Sequence, residues 1–326
     1  MSSNQYWIID TYYTLCDKLL IELLAKHINI VAITTVCRPN IHPEIIKNDI
    51  EEDLLKWNIS NVPVYVGADR PFIDYAQELN DDVIHMPYVL DSDEYRNKSM
   101  THDTKTKDSY SISNTNNIAA LKIMELAQKH GKSLNILTLG PLTNLAIASL
   151  IDNQFCNSFS HLYITGGSID NIGNSGNMAE FNFRFDPIAA QIAFRHFKNI
   201  KLIPLEIEKL HSQHIATHFD LFQSELGQQF KSKLSEVSEK NKDLHKYSNY
   251  TFSFLSFYAG LIVICPNLLK SSLNDPCDIE IIGKHIRGGM LIEKYPWMIT
   301  KKKNIAMITT ELDEKLLGEE IKRLFA

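Results

Sequence analysis

The sequence has no surplus of positive charge: 33 Lys and Arg stand against 39 Asp and Glu, for a net charge of -6. Such a chain offers little to a phosphate backbone or an anionic membrane surface, so neither nucleic acid nor membrane is an expected partner. Long apolar runs are missing too. The longest, Phe254 to Cys265, is stopped by Pro266 after a dozen residues, well short of the roughly 20 that cross a bilayer, and it reads as a core element. The opening MSSNQYWIID lacks the basic stretch and apolar segment of a secretion signal, so the chain is expected in the cytoplasm. Cysteine is scarce and odd in number. Cys16, Cys37, Cys156, Cys265 and Cys277 fit neither a disulfide framework nor a Cys-x-x-Cys metal knuckle, and are expected to be reduced. No internal repeat and no Pro/Gly/Ser-rich linker divides the chain.

What is present is apolar content sufficient for a large core, 44% hydrophobic and 22% charged over 326 residues. Tyr6 to Asp10 and Ile28 to Val36 read as strands, and between them Asp17 to His27 carries leucines at helical spacing. This strand, helix, strand unit predicts a parallel pair. Further strands are expected at Val62 to Val66, Leu134 to Leu139, His161 to Thr165 and Ile200 to Leu205, with helices near Ile118 to His130, after the GPLTN turn and over Pro187 to Phe197. Ile279 to Ile282 and Ile305 to Thr309 read as peripheral strands before a final helix. The expected architecture is one α/β domain over residues 1–326, an open and mostly parallel sheet. Two departures from regular alternation are a long polar stretch at about 91–117, expected to be a mobile functional loop, and a polar helical insertion at about 206–250.

In an open parallel sheet, ligands bind beyond the carboxyl ends of the strands. Asp10, Leu139 and Gly166 lie at such ends, so three loops should converge. The polar residues they bring together are Asp10 and Asp17 from the first, and Asn174, Glu180 and Asn182 from the Gly/Asn-rich third. Carboxylates beside carboxamides suit a ligand with adjacent hydroxyls, such as a sugar. Equally, Asn and Gly are ordinary turn residues and Asp10 and Asp17 ordinary strand-end and helix-start charges.

Several ordered motifs resemble the inosine-uridine-preferring nucleoside hydrolase family over nearly the whole chain. They are ITTV at Ile33 to Val36, VPVYVGADRP at Val62 to Pro71, LTLGPLTNLAIASLID at Leu137 to Asp152, GGSIDNIGNSGNMAEFNFRFDPIAA at Gly166 to Ala190, and IEIIGKHIRGGM near Ile279 to Met290. The resemblance implies an open α/β sheet like a Rossmann arrangement and a dimer or tetramer. It further implies cleavage of the N-glycosidic bond of ribonucleosides by a water held on Ca²⁺, with a nucleoside or other ribosyl compound as the small-molecule ligand.

The metal motif of that family, Asp-x-Asp-x-x-x-Asp-Asp, falls on DTYYTLCD. Asp10 and Asp17 keep the first and last aspartates. Tyr12 stands where the resemblance expects a metal ligand that is also the general base, and Cys16 where it expects a carboxylate on a ribose hydroxyl. A phenol titrates near 10 and a thiol near 8.5, so both are poor partners for a hard cation at pH 7. The family's C-terminal His-Asp pair, counted back from Pro266, falls on Leu255 and Ser256. Asp17 and the Leu139 carbonyl are the residual metal ligands, and one carboxylate is too few for calcium, which takes six to eight oxygens. The ribose-binding positions are kept as Asn174, Glu180 and Asn182, and Asp10 and Asp17 are the remaining catalytic candidates. After ITTV the expected Gly-Asn is replaced by Arg38-Pro39-Asn40, so either Asn40 serves with a one-residue shift or Pro39 takes its place. The expectation is a ribosyl-binding protein that has lost calcium and most calcium-dependent hydrolysis. The alternatives are a divergent ribohydrolase working without the usual metal and a regulatory subunit of an active relative.

Of the remaining features, His211, His214 and His218 share one helical face, read as solvated rather than as a zinc site. His85 matches a family loop histidine without the glycines that follow it, and Lys301 to Lys303 reads as a solvated turn. Tyr12 and Tyr13 either stack on a base or, for Tyr12, fill the vacated metal cavity.

Overall fold

The structure is a computed structural model describing residues 5–39, 41–73, 118–175, 177–218, 254–293 and 304–325, with 228, 231, 232 and 295. The 91–117 loop, Asn40, His85, Lys301 to Lys303 and most of the 206–250 insertion lie outside the described residues.

In chain order the elements are β1 (Tyr6–Thr11), α1 (Leu15–His27), β2 (Asn29–Thr35), α2 (Pro43–Lys56), β3 (Val64–Tyr65), α3 (Ile118–His130), β4 (Leu134–Thr138), α4 (Thr143–Ile151), β5 (Leu162–Thr165), α5 (Phe181–Phe185), α6 (Pro187–His196), β6 (Ile200–Ile203), α7 (Leu205–His218), α8 (Leu255–Ile264), β7 (Leu269–Ile279), β8 (Met290–Ile292), β9 (Ile305–Leu312) and α9 (Glu314–Phe325). The sheet runs in the order β3-β2-β1-β4-β5-β6-β9-β7-β8. Strands β1 to β6 and β9 pair in parallel, while β7 is antiparallel to β9 and β8 antiparallel to β7. The order reverses beside β1, with β2 on one side and β4 on the other, which is where such sheets open a crevice.

Apolar side chains cover both faces. Leu20, Leu24, Phe257, Tyr258 and Leu261 from α1 and α8 form one layer, and Ile123, Leu145, Phe194 and Phe197 from the α3, α4 and α6 side form the other. The Phe254 to Cys265 run is indeed core: nearly every residue of α8 is buried. Helices α1 and α8 meet at Gly260, where a Cβ would run into Leu20 Cδ1. Only glycine permits that approach, and it fixes where the start of α8 falls relative to α1.

Three expectations need correction. Ile279 to Ile282 is not a strand. The strand is Leu269–Ile279, and its stretch LKSSLNDPCDI is largely polar because it lies near the sheet edge with mostly exposed or half-buried side chains. Ile305 to Thr309 is not peripheral, since β9 lies between β6 and β7 with Ala306, Ile308 and Leu312 buried. Val62 to Val66 shrinks to Val64–Tyr65, although Ile33 N still donates to Pro63 O at 2.9 Å.

Candidate functional site

Asp10, at the end of β1, is fully buried. Its Oδ1 accepts from Thr34 Oγ1 at 2.5 Å and from Asn144 Nδ2 at 2.8 Å, and its Oδ2 makes no hydrogen bond. Burial outweighs both donors and pushes the carboxyl up to about 7. Asn144 is a residue that sequence reasoning passed over, although it closes the GPLTN turn. Its amide also donates to Thr35 O at 2.9 Å and its Oδ1 accepts from Ala68 N at 2.8 Å, so one side chain ties the ends of β1 and β2 to the segment after β3.

Asp17 sits in the first turn of α1. Thr14 caps that helix: Asp17 N donates to Thr14 Oγ1 at 3.3 Å and Thr14 N donates to Asp17 Oδ2 at 3.0 Å. This reciprocal box explains part of the residue's presence without any ligand. Thr11 Oγ1 donates to the same oxygen at 2.9 Å, while Oδ1 is buried and makes no hydrogen bond of good geometry. Burial raises this carboxyl, opposed first by the neighbouring Ser256 hydroxyl and then by Thr14 and Thr11. Ser256 and Leu255 open α8, so the close packing at Gly260 carries them to the start of α1.

The third loop arrives from β5. Glu180 caps α5, its Oε2 accepting from Gly167 N at 3.1 Å and Phe183 N at 3.3 Å, and burial pushes its carboxyl up to about 7. Asn182 donates through Nδ2 to Thr165 O at 3.0 Å and Leu139 O at 3.3 Å, leaving Oδ1 buried and unpartnered. Asn174 is half-buried, and its Oδ1 accepts from Phe181 N at 2.9 Å. Leu139 N donates to Asp10 O at 2.7 Å. Asp10, Leu139 and Asn182 are thus consecutive links of one hydrogen-bonded chain.

Tyr12 joins the two halves. Its ring lies 5.9 Å from that of Phe181, and a Cβ on Gly140 would come within 2.6 Å of its Cδ1. Burial, then the charges of Asp17 and Glu180, push its phenol well above its ordinary value, with Arg38 opposing. A half-buried ring therefore lies within electrostatic reach of both carboxylates. Tyr13 turns away. It adopts a left-handed φ of 59° and its hydroxyl donates to Asp53 Oδ2 at 2.9 Å.

Asp10, Asp17, Leu139, Glu180 and Asn182 converge, and Asn174 is tied to the same loop through Phe181 N. Three buried atoms among them make no hydrogen bond: Asp10 Oδ2, Asp17 Oδ1 and Asn182 Oδ1. The amide oxygen of Asn182 is an acceptor, and so are the two carboxylate oxygens when ionised, which suits a ligand that presents hydroxyl donors. No group of three or more His, Cys, Asp and Glu side chains among the described residues is placed to hold a metal ion.

Sequence reasoning also missed the clamp that holds the third loop. Glu206 of α7 accepts from Ser168 Oγ at 2.7 Å and Ile169 N at 3.0 Å, and Lys209 Nζ reaches Asp170 Oδ1 at 2.9 Å. The only hint was a pair of charges at i, i+3 in a segment read as polar helix. His211 corrects the reading of a solvated face, since it is 1% exposed and its Nε2 accepts from Leu312 N at 3.3 Å. The side chains of His214 and His218 lie outside the described residues. All five cysteines lie outside any disulfide, and no described helix is long and apolar enough to cross a membrane.

A family model for inosine-uridine preferring nucleoside hydrolases matches residues 8–318. The chain is 35% identical over 89 residues to uridine nucleosidase 1 of Arabidopsis thaliana, covering 27% of this chain and 26% of that one. It is 25% identical over 186 residues to the inosine-uridine preferring nucleoside hydrolase of Crithidia fasciculata, covering 55% and 53%. The matched stretches therefore span about a quarter to a half of the length of these curated relatives. Among solved structures, the fold is similar to a plant nucleoside hydrolase, with a TM-score of 0.72 at 19% identity and 99% of each chain covered. A purine-preferring ribonucleoside hydrolase from Gardnerella vaginalis aligns with a TM-score of 0.72 at 18% identity over 98% of each chain. With the motifs in order, the three loops convergent and the match running from residue 8 to residue 318, this chain belongs to the inosine-uridine preferring nucleoside hydrolase family.

Proposed function

We propose that this protein binds a ribosyl compound in the pocket formed by Asp10, Asn174, Glu180 and Asn182, and that calcium-dependent hydrolysis is lost or strongly reduced. The observation that carries this reading is Tyr12, whose ring lies against Phe181 and within reach of Asp17 and Glu180, on the ground where a cation would need carboxylates. The donors do not fit calcium. Asp17 is a single carboxylate with one oxygen already accepting from Thr11 and Thr14, Ser256 brings a hydroxyl in place of a charge, and Leu139 O already accepts from Asn182. Calcium affinity comes chiefly from several anionic oxygens. In this reading the polar half of the pocket works by orientation alone, with Asp10 Oδ2 and Asn182 Oδ1 accepting from sugar hydroxyls.

A thermal-shift series with D-ribose, inosine and uridine, each with and without Ca²⁺, tests this. Stabilisation by at least one ribosyl ligand at millimolar concentration, unchanged by Ca²⁺, is expected, since a bound ligand adds about RT ln(1 + [L]/Kd). A shift that depends on Ca²⁺, or none with any ligand, contradicts it.

A second reading rests on Asp10, whose unpartnered Oδ2 and carboxyl pushed up to about 7 suit proton exchange with water near neutrality. Here Asp10 or Asp17 activates water directly on a more labile ribosyl substrate. Cleavage that ignores a chelator and is abolished by Asp17→Ala supports this alternative.

A further inference from the structure

Tyr12 is wedged where the three strand-end loops meet. On one side a Cβ on Gly140, the residue after Leu139, would come within 2.6 Å of its Cδ1 and 3.3 Å of its backbone nitrogen. On the other its ring lies 5.9 Å from that of Phe181, the residue between Glu180 and Asn182. The buried cluster of Val36, Cys37 and Ala68 packs against it as well. These contacts use the ring and leave the hydroxyl over. Among the described residues nothing makes a hydrogen bond with that hydroxyl, and it is not one of the buried polar atoms closed off from solvent. On a half-buried side chain it is therefore an open donor.

The surrounding pocket is rich in acceptors. Asp10 Oδ2 and Asp17 Oδ1, when ionised, and Asn182 Oδ1 take hydrogen bonds and give none. A sugar brings both kinds of group, because its hydroxyls donate while their oxygens and the ring oxygen accept. A phenol that stays protonated supplies a donor for the second kind, and burial with the charges of Asp17 and Glu180 keeps this one protonated against the opposing charge of Arg38. A ring that only filled space between Gly140 and Phe181 would have no use for a hydroxyl, and phenylalanine would serve as well.

We propose that Tyr12 is a ligand-binding residue whose hydroxyl donates to an oxygen of the sugar, so that the side chain on the ground of the metal ligand now grips the ribosyl group itself. This inference rests on the ribosyl reading above. Calorimetric titration of the wild type and Tyr12→Phe with methyl β-D-ribofuranoside, inosine and uridine tests it, together with the tyrosine ultraviolet difference spectrum on adding the methyl riboside. Tyr12→Phe keeps the ring, so without ligand it should melt with the wild type. It should bind all three ligands about fivefold more weakly, the loss of one neutral hydrogen bond. The difference spectrum of the wild type should vanish in the variant, a readout that holds even where the variant is less stable. Unchanged affinities in Tyr12→Phe, or a difference spectrum that persists in it, make Tyr12 a filler and leave the ribosyl reading standing. A loss confined to inosine and uridine overturns the inference as well, because the hydroxyl then reads the base. No binding of any of the three by the wild type brings down the ribosyl reading and this inference together.

Discussion

The hydroxyl of Ser256 stands beside the carboxylate of Asp17, bringing the first turn of α8 against the first turn of α1. A second carboxylate at Ser256 would face Asp17 across that contact, and an aspartate at Tyr12 would add a third. The double variant Tyr12→Asp with Ser256→Asp should therefore gain a Ca²⁺-dependent rise in melting temperature that the wild type lacks. Differential scanning calorimetry without Ca²⁺ and at about 5 mM Ca²⁺, which is roughly saturating for a weak extracellular-type site, reads this directly. Equal melting temperatures in the variant would show that more than these side chains separates the pocket from a calcium site.

Asp10 and Glu180 both titrate at about 7 in the folded protein, well above their ordinary values, because burial disfavours their charged forms. The folded state thus binds more protons than the unfolded state between about pH 4 and pH 7. Stability should be highest near the ordinary carboxylate range, fall as pH rises, and level off above about 7, with each group costing on the order of 3 kcal/mol at the alkaline end. Asp10→Asn, which keeps the acceptor for Thr34 and Asn144, should flatten this fall. Urea midpoints at pH 5, 6, 7 and 8 decide it, and a parallel fall in the variant would remove Asp10 from the account.

Asn182 satisfies two buried carbonyls, Leu139 O and Thr165 O. Replacing it by alanine leaves both without this donor and should cost about 1–3 kcal/mol. The variant should also bind D-ribose more weakly, because its unpartnered Oδ1 is gone. Chemical denaturation and a ribose titration separate these effects, and a stability loss with unchanged ribose affinity would confine Asn182 to a structural role.

Gly260 permits the contact of α1 with α8. Gly260→Ala should destabilise by about 1–3 kcal/mol through overpacking against Leu20, and Leu20→Ala in the same chain should recover part of the loss relative to the sum of the single changes. Strict additivity in a double-mutant cycle would argue against the contact.

The parallel half of the sheet was legible in the sequence because strands buried on both faces read as apolar runs. Strand β7 was not, since LKSSLNDPCDI has mostly exposed or half-buried side chains and carries Pro276. That the loops beginning at Asp10, Leu139 and Gly166 would lie together followed from the strand-end rule alone. Asn144 and Thr34 escaped notice because amide and hydroxyl groups next to turns have so many ordinary uses, and only the fold shows that Asn144 bonds across three segments. Glu206 escaped for a different reason: its partner, the loop at Ser168 and Ile169, lies two helices and one strand away in sequence.

The most direct measurement is release of ribose from inosine and uridine, followed as reducing sugar with the purified chain in chelator and in millimolar Ca²⁺. Neither condition should exceed the rate without protein. Ca²⁺-dependent ribose release that survives purification to homogeneity would contradict the account at its centre, for it would require a working cation seat beside Asp17 despite Tyr12 and Ser256.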